Sequence, residues 1–143
     1  MPNKKIKKTE TRKTQSSSGI KSTSTSPPLG ISFSYKYFQC DHSKFSITGK
    51  DIDYLVAFLE RLKNISSWKF QEFIVNNSKA LRCHAIDWKD TTESCFGLPN
   101  EEQLIDKPYQ FSISSNEHGR VHGFFIEEIF YIVWLDPDHK LYR

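Results

Sequence analysis

The sequence has only three cysteines in 143 residues, and no two of them have the CxxC spacing that marks many metal and redox sites. Cys40, Cys83 and Cys95 therefore predict neither a disulfide framework nor a four-ligand zinc site, and they fit reduced thiols. No apolar run approaches the roughly 20 residues that span a bilayer. The basic N-terminus lacks the apolar segment of a secretory signal. We expect a cytoplasmic protein that contacts no membrane and needs no metal or cofactor.

Positive charge is concentrated at one end of the chain. The formal charge is +3, but residues 1–28 contain seven cations and one acid, so they carry +6 and the remainder carries −3. Residues 1–30 are rich in Lys, Ser and Thr and have little apolar surface to bury, which predicts a disordered arm. The arm is either an inert extension or a basic segment that raises affinity for RNA, DNA or the ribosome. Residues 31–143 have the size of one domain.

The first half of this domain predicts one strand and two helices. Residues 31–38 alternate in side-chain size as a strand does. Thr48 and Asp51 have the spacing of a capping box, and residues 49–64 follow with helical periodicity. Residues 68–76 form a second predicted helix. The stripe of the first helix that we expect to pack on a sheet consists of Ile52, Leu55, Val56, Leu59 and Leu62.

The second half predicts an antiparallel sheet. Residues 79–108 show a weak pattern, with one helical turn at 100–104. A strand at 110–114 precedes a hairpin at 121–135, which turns at Glu127 and Glu128 and is rich in β-branched and aromatic residues. Asp136-Pro137-Asp138 then ends the last strand. The order of elements predicts an α+β fold in which helices cover one face of a sheet that ends in an antiparallel meander.

This order, with an Arg at the start of the hairpin and a His and a Tyr after it, resembles the RelE/ParE superfamily of small bacterial toxins. Residues 120–142 read RVHGFFxxxxFYIVWLDPxHxLY and also resemble a group of uncharacterised, toxin-like bacterial proteins. RelE-like and YoeB-like members cleave messenger RNA on the ribosome. The resemblance implies a RelE-like fold, a toxin-antitoxin role with an antitoxin protein as partner, and metal-independent endoribonuclease activity.

Three residues match the RelE-like catalytic pattern, namely Arg120, His139 and Tyr142. The resemblance implies that the Arg stabilises charge on the phosphate and that the His transfers a proton. Tyr142 is expected to stack on a base or to hydrogen-bond the phosphate. The residues expected to bind RNA beside them are His122, Lys140 and Arg143, with His122 on the same strand face as Arg120.

Two other functions remain open from the sequence. ParE-like members keep the fold without nuclease residues, so the chain is alternatively a non-enzymatic module that binds a protein through aromatic residues of its strands. It is also interpretable as a nucleic-acid accessory protein that binds through its basic arm. Cys83, His84 and Cys95 have no paired spacing and are not predicted to bind a metal. Trp88 is a core or interface residue, or else a platform for a base.

Overall fold

The computed structural model describes residues 30–76 and 81–143, in which five strands form one mixed sheet. The strands are β1 (Ser32–Ser34), β2 (His84–Ala85), β3 (Pro108–Ser112), β4 (Arg120–Ile126) and β5 (Ile129–Asp136). Their order across the sheet is β1-β5-β4-β3-β2. Strand β1 is parallel to β5, and every other pair of neighbours is antiparallel. The fold is α+β, as predicted, and residues 1–29 of the arm predicted at 1–30 lie outside the described residues.

The hairpin of β4 and β5 is the centre of the sheet. Its turn at Glu127 and Glu128 is confirmed, because β4 ends at Ile126 and β5 begins at Ile129. A register shift between His122 and Gly123 marks a bulge. A side chain at Gly123 would lie 2.1 Å from the carbonyl oxygen of Tyr131, so only glycine fits this close approach of two strands.

Two helices cover one face of the sheet. Helix α1 (Ile52–Ile65) begins after Asp51, whose carboxylate accepts the N–H of Tyr54 at 3.1 Å. Helix α2 (Phe70–Ile74) is short. Both pack on a core that contains residues from every long strand, and this core includes Tyr54, Phe58, Leu62, Ile65, Phe73, Phe111, Val121, Phe130, Ile132 and Leu135.

The chain connections cover the opposite face. Most of this cover comes from the connection between β2 and β3, which contributes Ile86 and Phe96. The segment before α1 contributes Phe45. These side chains pack on Phe124 and Trp134 of the hairpin. The rings of Phe45 and Trp134 stack with centroids 4.4 Å apart. This connection also holds a 3-10 turn (Trp88–Asp90) and the short helix α3 (Glu101–Leu104), which confirms the helical turn predicted at 100–104. Both sheet faces are thus buried, and the predicted aromatic strand surface is core.

Several predicted boundaries were wrong by a few residues. The first strand covers Ser32–Ser34 instead of 31–38, and the strand predicted at 110–114 covers Pro108–Ser112. Asp51, not Thr48, caps α1. Tyr35 is half exposed because the chain leaves the sheet after Ser34. No helix within the described residues is long and apolar enough to cross a membrane.

The larger error concerns which face of α1 is buried. The predicted stripe faces away from the sheet, with Ile52 68% exposed, Val56 49% and Leu59 58%. The buried face contains Tyr54 and Phe58 instead, together with Leu62 and Ile65. Helical periodicity fits both stripes, and the larger aromatic side chains occupy the space above the sheet. Only Leu62 of the predicted set is buried.

Adjacent positions on α1 test this orientation. Phe58→Ala removes a buried ring and should lower the free energy of unfolding by about 3–5 kcal/mol. Leu59→Ala removes an exposed side chain and should change it by about 0.5 kcal/mol or less. Chemical denaturation of both variants measures the two values. A large loss for Leu59→Ala with a small loss for Phe58→Ala would contradict the orientation of α1.

Candidate functional site

A small cavity lies where β4 begins, β5 ends and the last residues of the chain fold back. Its volume is about 220 Å³. Three of its lining residues, Arg120, His139 and Tyr142, are the three that the sequence singled out as catalytic. The other lining residues are His84, Gln110 and Asp136. Residues as far apart in the sequence as His84 and Tyr142 therefore share one concave site.

Arg120 is the cationic group of this cavity. As the first residue of β4 it lies opposite Ser112 on one neighbouring strand and Asp136 on the other. No carboxylate of the described residues lies within ion-pair distance of its guanidinium. Burial and the nearby positive charge of Arg82 lower its pKa, while Asp136 opposes that change. An arginine still remains protonated at neutral pH, so the cavity holds a positive charge that no ion pair neutralises.

The carboxylate of Asp136 holds the cavity wall together. One oxygen, Oδ1, accepts the N–H of Lys140 at 2.8 Å, and Oδ2 accepts the N–H of Leu141 at 3.0 Å. Oδ2 also lies 3.2 Å from Nε2 of His122. Burial would raise the pKa of Asp136, but these hydrogen bonds outweigh burial and hold its pKa below the ordinary value. The ionised carboxylate therefore fixes the chain that follows β5.

His122 does not reach the cavity surface, contrary to the expectation that it contacts RNA. Its side chain is fully buried, since it faces Gln110 and Trp134 on the covered face of the sheet. Burial lowers the pKa of His122 despite the neighbouring carboxylate of Asp136. The neutral imidazole donates from Nε2, and its Nδ1 has no hydrogen-bond partner among the described residues. His122 therefore lies behind the cavity, where it hydrogen-bonds Asp136.

The segment 137–143 places the other predicted residues. Leu141 is fully buried, and its carbonyl accepts the N–H of Thr92 at 2.7 Å. Tyr142 forms an isolated β-bridge with Thr91. Gly119, with φ +75°, packs so closely on this segment that a Cβ would lie 2.0 Å from the carbonyl oxygen of Asp136. Contacts with Thr91, Thr92 and Gly119 thus fix the segment and keep its residues in place at the cavity.

His139 and Tyr142 differ in their surroundings. His139 is exposed, has a left-handed backbone with φ +56°, and its imidazole makes no hydrogen bond within the described residues. Burial raises the pKa of Tyr142, although the backbone N–H of Asp87 opposes the effect. The Tyr142 hydroxyl is therefore protonated at neutral pH and can donate a hydrogen bond.

Besides Asp136, two lining residues were missed as members of this site, His84 and Gln110. His84 Nδ1 lies 2.7 Å from the carbonyl oxygen of Ala85, so Nδ1 donates, and Nε2 accepts from the Gln110 amide at 3.0 Å. The ring also meets that of Tyr142 edge-on, with centroids 5.7 Å apart. Sequence alone carried no signal for either residue, because only the pairing of β2 with β3 places His84 opposite Gln110.

The remaining predicted residues lie outside the cavity. Lys140 is exposed beside it, and Arg143 donates from Nε and Nη2 to the carbonyl oxygen of Thr91 at 3.0 and 2.7 Å. Burial raises the pKa of Cys83 to about 12, so its thiol is not a nucleophile at neutral pH. The described part of the chain contains no cluster of three His, Cys, Asp or Glu residues that could bind a metal ion.

Comparisons with protein-family models, with curated proteins and with solved structures found no significant match.

The buried histidine predicts how stability depends on pH. Unfolded His122 has the ordinary pKa of 6.5 and folded His122 a lower one, so between the two values the unfolded state binds more protons. The free energy of unfolding should therefore fall as the pH drops below 6.5, by up to about 1.4 kcal/mol per pH unit. His122→Gln keeps a donor for Asp136 and should remove this part of the slope.

Urea denaturation between pH 4.5 and 7.5 measures the effect. Asp136 contributes little to the slope in this range, because the range lies above the ordinary Asp pKa of 3.8 and the carboxylate is mostly ionised in both states. Phe58→Ala is the matched control, since it destabilises the fold and should keep the wild-type slope. An unchanged slope in His122→Gln would show that His122 does not resist protonation in the folded state.

Proposed function

We propose that this chain is a metal-independent endoribonuclease of the RelE-like toxin type, with the cavity around Arg120 as its active site. One observation carries the proposal: Arg120, His139 and Tyr142 line the same cavity of about 220 Å³. A guanidinium without an ion pair among the described residues, an imidazole without a hydrogen bond and a protonated phenol can together supply the charge stabilisation and the proton transfers of RNA scission without a metal.

RNA supplies its own nucleophile, the 2′-hydroxyl beside each phosphate. In the proposed reaction this oxygen forms a bond to phosphorus while the bond from phosphorus to the 5′-oxygen breaks. One proton leaves the 2′-hydroxyl and one proton reaches the 5′-oxygen. The products are a 2′,3′-cyclic phosphate and a free 5′-hydroxyl. The protein has to move two protons and stabilise the negative charge that grows on the phosphate oxygens.

Arg120 carries the electrostatic part of this reaction. A guanidinium binds two oxygens of one phosphate at once, which an ammonium cannot do. Its partial burial strengthens the attraction, because less water screens the charge, and Asp136 acts on it from beyond ion-pair distance. Asp136 lies opposite it across the strands but uses its oxygens on His122, Lys140 and Leu141. The positive charge therefore stays available for the substrate.

His139 and Tyr142 transfer the protons. The free imidazole of His139 accepts the proton of the 2′-hydroxyl, and the Tyr142 hydroxyl donates its proton toward the departing 5′-oxygen. Exchange with water then returns a proton from His139 to Tyr142. His84 is held by Gln110 and Ala85 and supports the ring of Tyr142. The cavity is smaller than the roughly 300–1,000 Å³ of a typical ligand pocket, which suits one phosphate and not a whole nucleotide.

The toxin-like role rests on the resemblance of residues 120–142 and on the α+β order of elements. A toxin of this type requires a protein partner that blocks its active site. We expect an antitoxin that covers the cavity near His139 and Lys140, both of which are exposed. The ribosome and its messenger RNA are the expected target.

Cleavage of a labelled single-stranded RNA in the presence of EDTA tests the catalytic proposal. Arg120→Ala should reduce the rate about 10²–10³-fold, as does the loss of one group that stabilises charge in other enzymes. His139→Ala should reduce it about 10²–10⁴-fold. Lys63→Ala removes an exposed cation of α1 on the other face of the sheet and should keep the wild-type rate. Mapping of the ends should find 2′,3′-cyclic phosphates.

A substrate with a good leaving group separates the two proton transfers. A uridine 3′-phosphate ester of 4-nitrophenol needs no proton on its leaving oxygen, so Tyr142→Phe should cleave it at nearly the wild-type rate. His139→Ala should remain slow on the same ester. A wild-type rate in a folded Arg120→Ala variant, or the absence of cleavage by the wild-type protein on naked and ribosome-bound RNA, would refute the proposal.

Growth of cells that express the chain alone tests the toxin-like role. We expect arrest with the wild-type sequence, because uncontrolled cleavage of messenger RNA stops translation. The double variant Arg120→Ala with His139→Ala should restore growth at equal protein level, as judged by immunoblot. Arrest by the folded double variant would assign toxicity to something other than RNA cleavage.

A second candidate function follows from the exposed stripe of α1. Ile52, Val56 and Leu59 form an apolar strip with acidic Asp53 and Glu60 along one edge and Lys63 at its C-terminal end. An amphipathic helix with a basic flank fits this surface by apolar contact and by charge. Two variants distinguish the two functions. Leu59→Glu should weaken binding of such a helix without affecting RNA cleavage, and Arg120→Ala should slow RNA cleavage without affecting binding of the helix. Binding of a peptide helix with an acidic flank instead would contradict this match.

A further inference from the structure

A second groove lies next to the cavity, on the other side of the bridge between Thr91 and Tyr142. Tyr142 lines the cavity and Thr91 lines the groove. The groove has a volume of about 470 Å³, which is within the usual range for a bound organic ligand. Its lining consists of Trp88, Lys89, Thr91, Thr92, Glu93, Ser94 and Arg143.

Trp88 gives this groove a rigid aromatic wall. It begins the 3-10 turn after Asp87, and its indole is half-buried. Phe96 contacts it edge-on with centroids 5.0 Å apart, and Trp134 does so at 6.1 Å. An aromatic ring that is fixed on one side and open on the other binds a planar group at little entropic cost. Nucleobases are planar groups that stack on such rings whatever their sequence.

Arg143 gives the groove a positive charge, and its guanidinium forms no ion pair with a carboxylate of the described residues. Two of its nitrogens hold the carbonyl oxygen of Thr91, which leaves further N–H groups for a ligand. The carboxylate of Glu93, also in the groove, is bound by Lys44. Lys89 pairs loosely with Asp87 at 3.6 Å on the surface. Arg143 therefore offers a single phosphate contact, comparable to the one that Arg120 offers in the cavity.

We propose that this groove binds the nucleotide next to the scissile phosphate of a single-stranded RNA, a proposal that rests on the function assigned to the cavity. The base stacks on Trp88, and Arg143 binds the phosphate that follows the one held by Arg120. The backbone passes over Tyr142 between the two guanidinium groups. A duplex is excluded because its bases are already stacked and cannot reach the indole.

Binding of a 2′-O-methyl hexanucleotide, which has no free 2′-hydroxyl to attack, measures this site without cleavage. Isothermal titration calorimetry should show binding that is about tenfold or more weaker in Trp88→Leu, since stacking is lost. Trp88→Phe should retain most of the affinity. Arg143→Gln should weaken binding and reduce the slope of log K against log salt by about 0.7, the value for one phosphate of a single strand.

Four further comparisons sharpen this experiment. Arg143→Lys should keep the wild-type salt slope, Trp88→Leu should keep it while losing affinity, and Lys63→Ala should bind as the wild type does. The same sequence as a duplex should bind more weakly than the single strand. Equal binding of single strand and duplex, or affinities of Trp88→Leu and Arg143→Gln within twofold of the wild type, would overturn the groove proposal.

Cleavage and binding together distinguish the failure of this proposal from failure of the proposed function. If the wild-type protein binds the hexanucleotide through Trp88 and Arg143 but cleaves no RNA, the groove binds RNA and the catalytic proposal falls. If the protein cleaves RNA while Trp88→Leu and Arg143→Gln keep the wild-type kcat/KM, the cavity is the active site and the groove proposal falls.

Discussion

The buried carboxylate of Asp136 is the interaction on which the candidate site depends. It ends β5, bonds the neutral ring of His122 in the next strand, and accepts two backbone N–H groups of the segment that returns over the sheet. A buried carboxylate is costly unless its oxygens are hydrogen-bonded, and here both are. The same bonds place His139 and Tyr142 beside Arg120. Loss of this carboxylate would remove the hydrogen bonds that hold residues 137–143, so His139 and Tyr142 would no longer be fixed beside Arg120. Asp136 nevertheless takes no direct part in the proposed chemistry.

The sheet is covered on both faces, and this arrangement decides which surfaces are available. Helices α1 and α2 cover one face with an aliphatic and aromatic core, and the connection 86–105 covers the other with stacked rings around Trp134. The cavity around Arg120 lies where β5 ends and residues 137–143 fold back, and the groove beside Trp88 adjoins it. The apolar strip of α1 faces outward because the opposite face of that helix already fills the space above the sheet.

Local patterns predicted the hairpin of β4 and β5 well, because turn residues and β-branched residues act within a few positions. Asp136-Pro137 ends β5 for the same local reason. The orientation of α1 was not predictable in this way, since its sequence carries two apolar stripes and periodicity does not rank them. His122 is buried because side chains alternate between the two faces of β4 and the connection 86–105 covers the face on which His122 lies. That connection begins 36 residues earlier in the chain. His84 and Gln110 joined the site only through pairing of β2 with β3.

The sequence by itself determined the class of the fold, the hairpin, and the residue types near its two ends that bear on phosphate chemistry. Strand alternation, turn formers and charge act locally, so they are readable without a structure. Tertiary structure decided that Arg120, His139 and Tyr142 face one cavity, that His122 is buried behind it, and that α1 exposes Ile52, Val56 and Leu59. These outcomes depend on contacts between residues far apart in the chain. Local patterns fit more than one arrangement equally well, and the packing of side chains from distant segments decides which one forms.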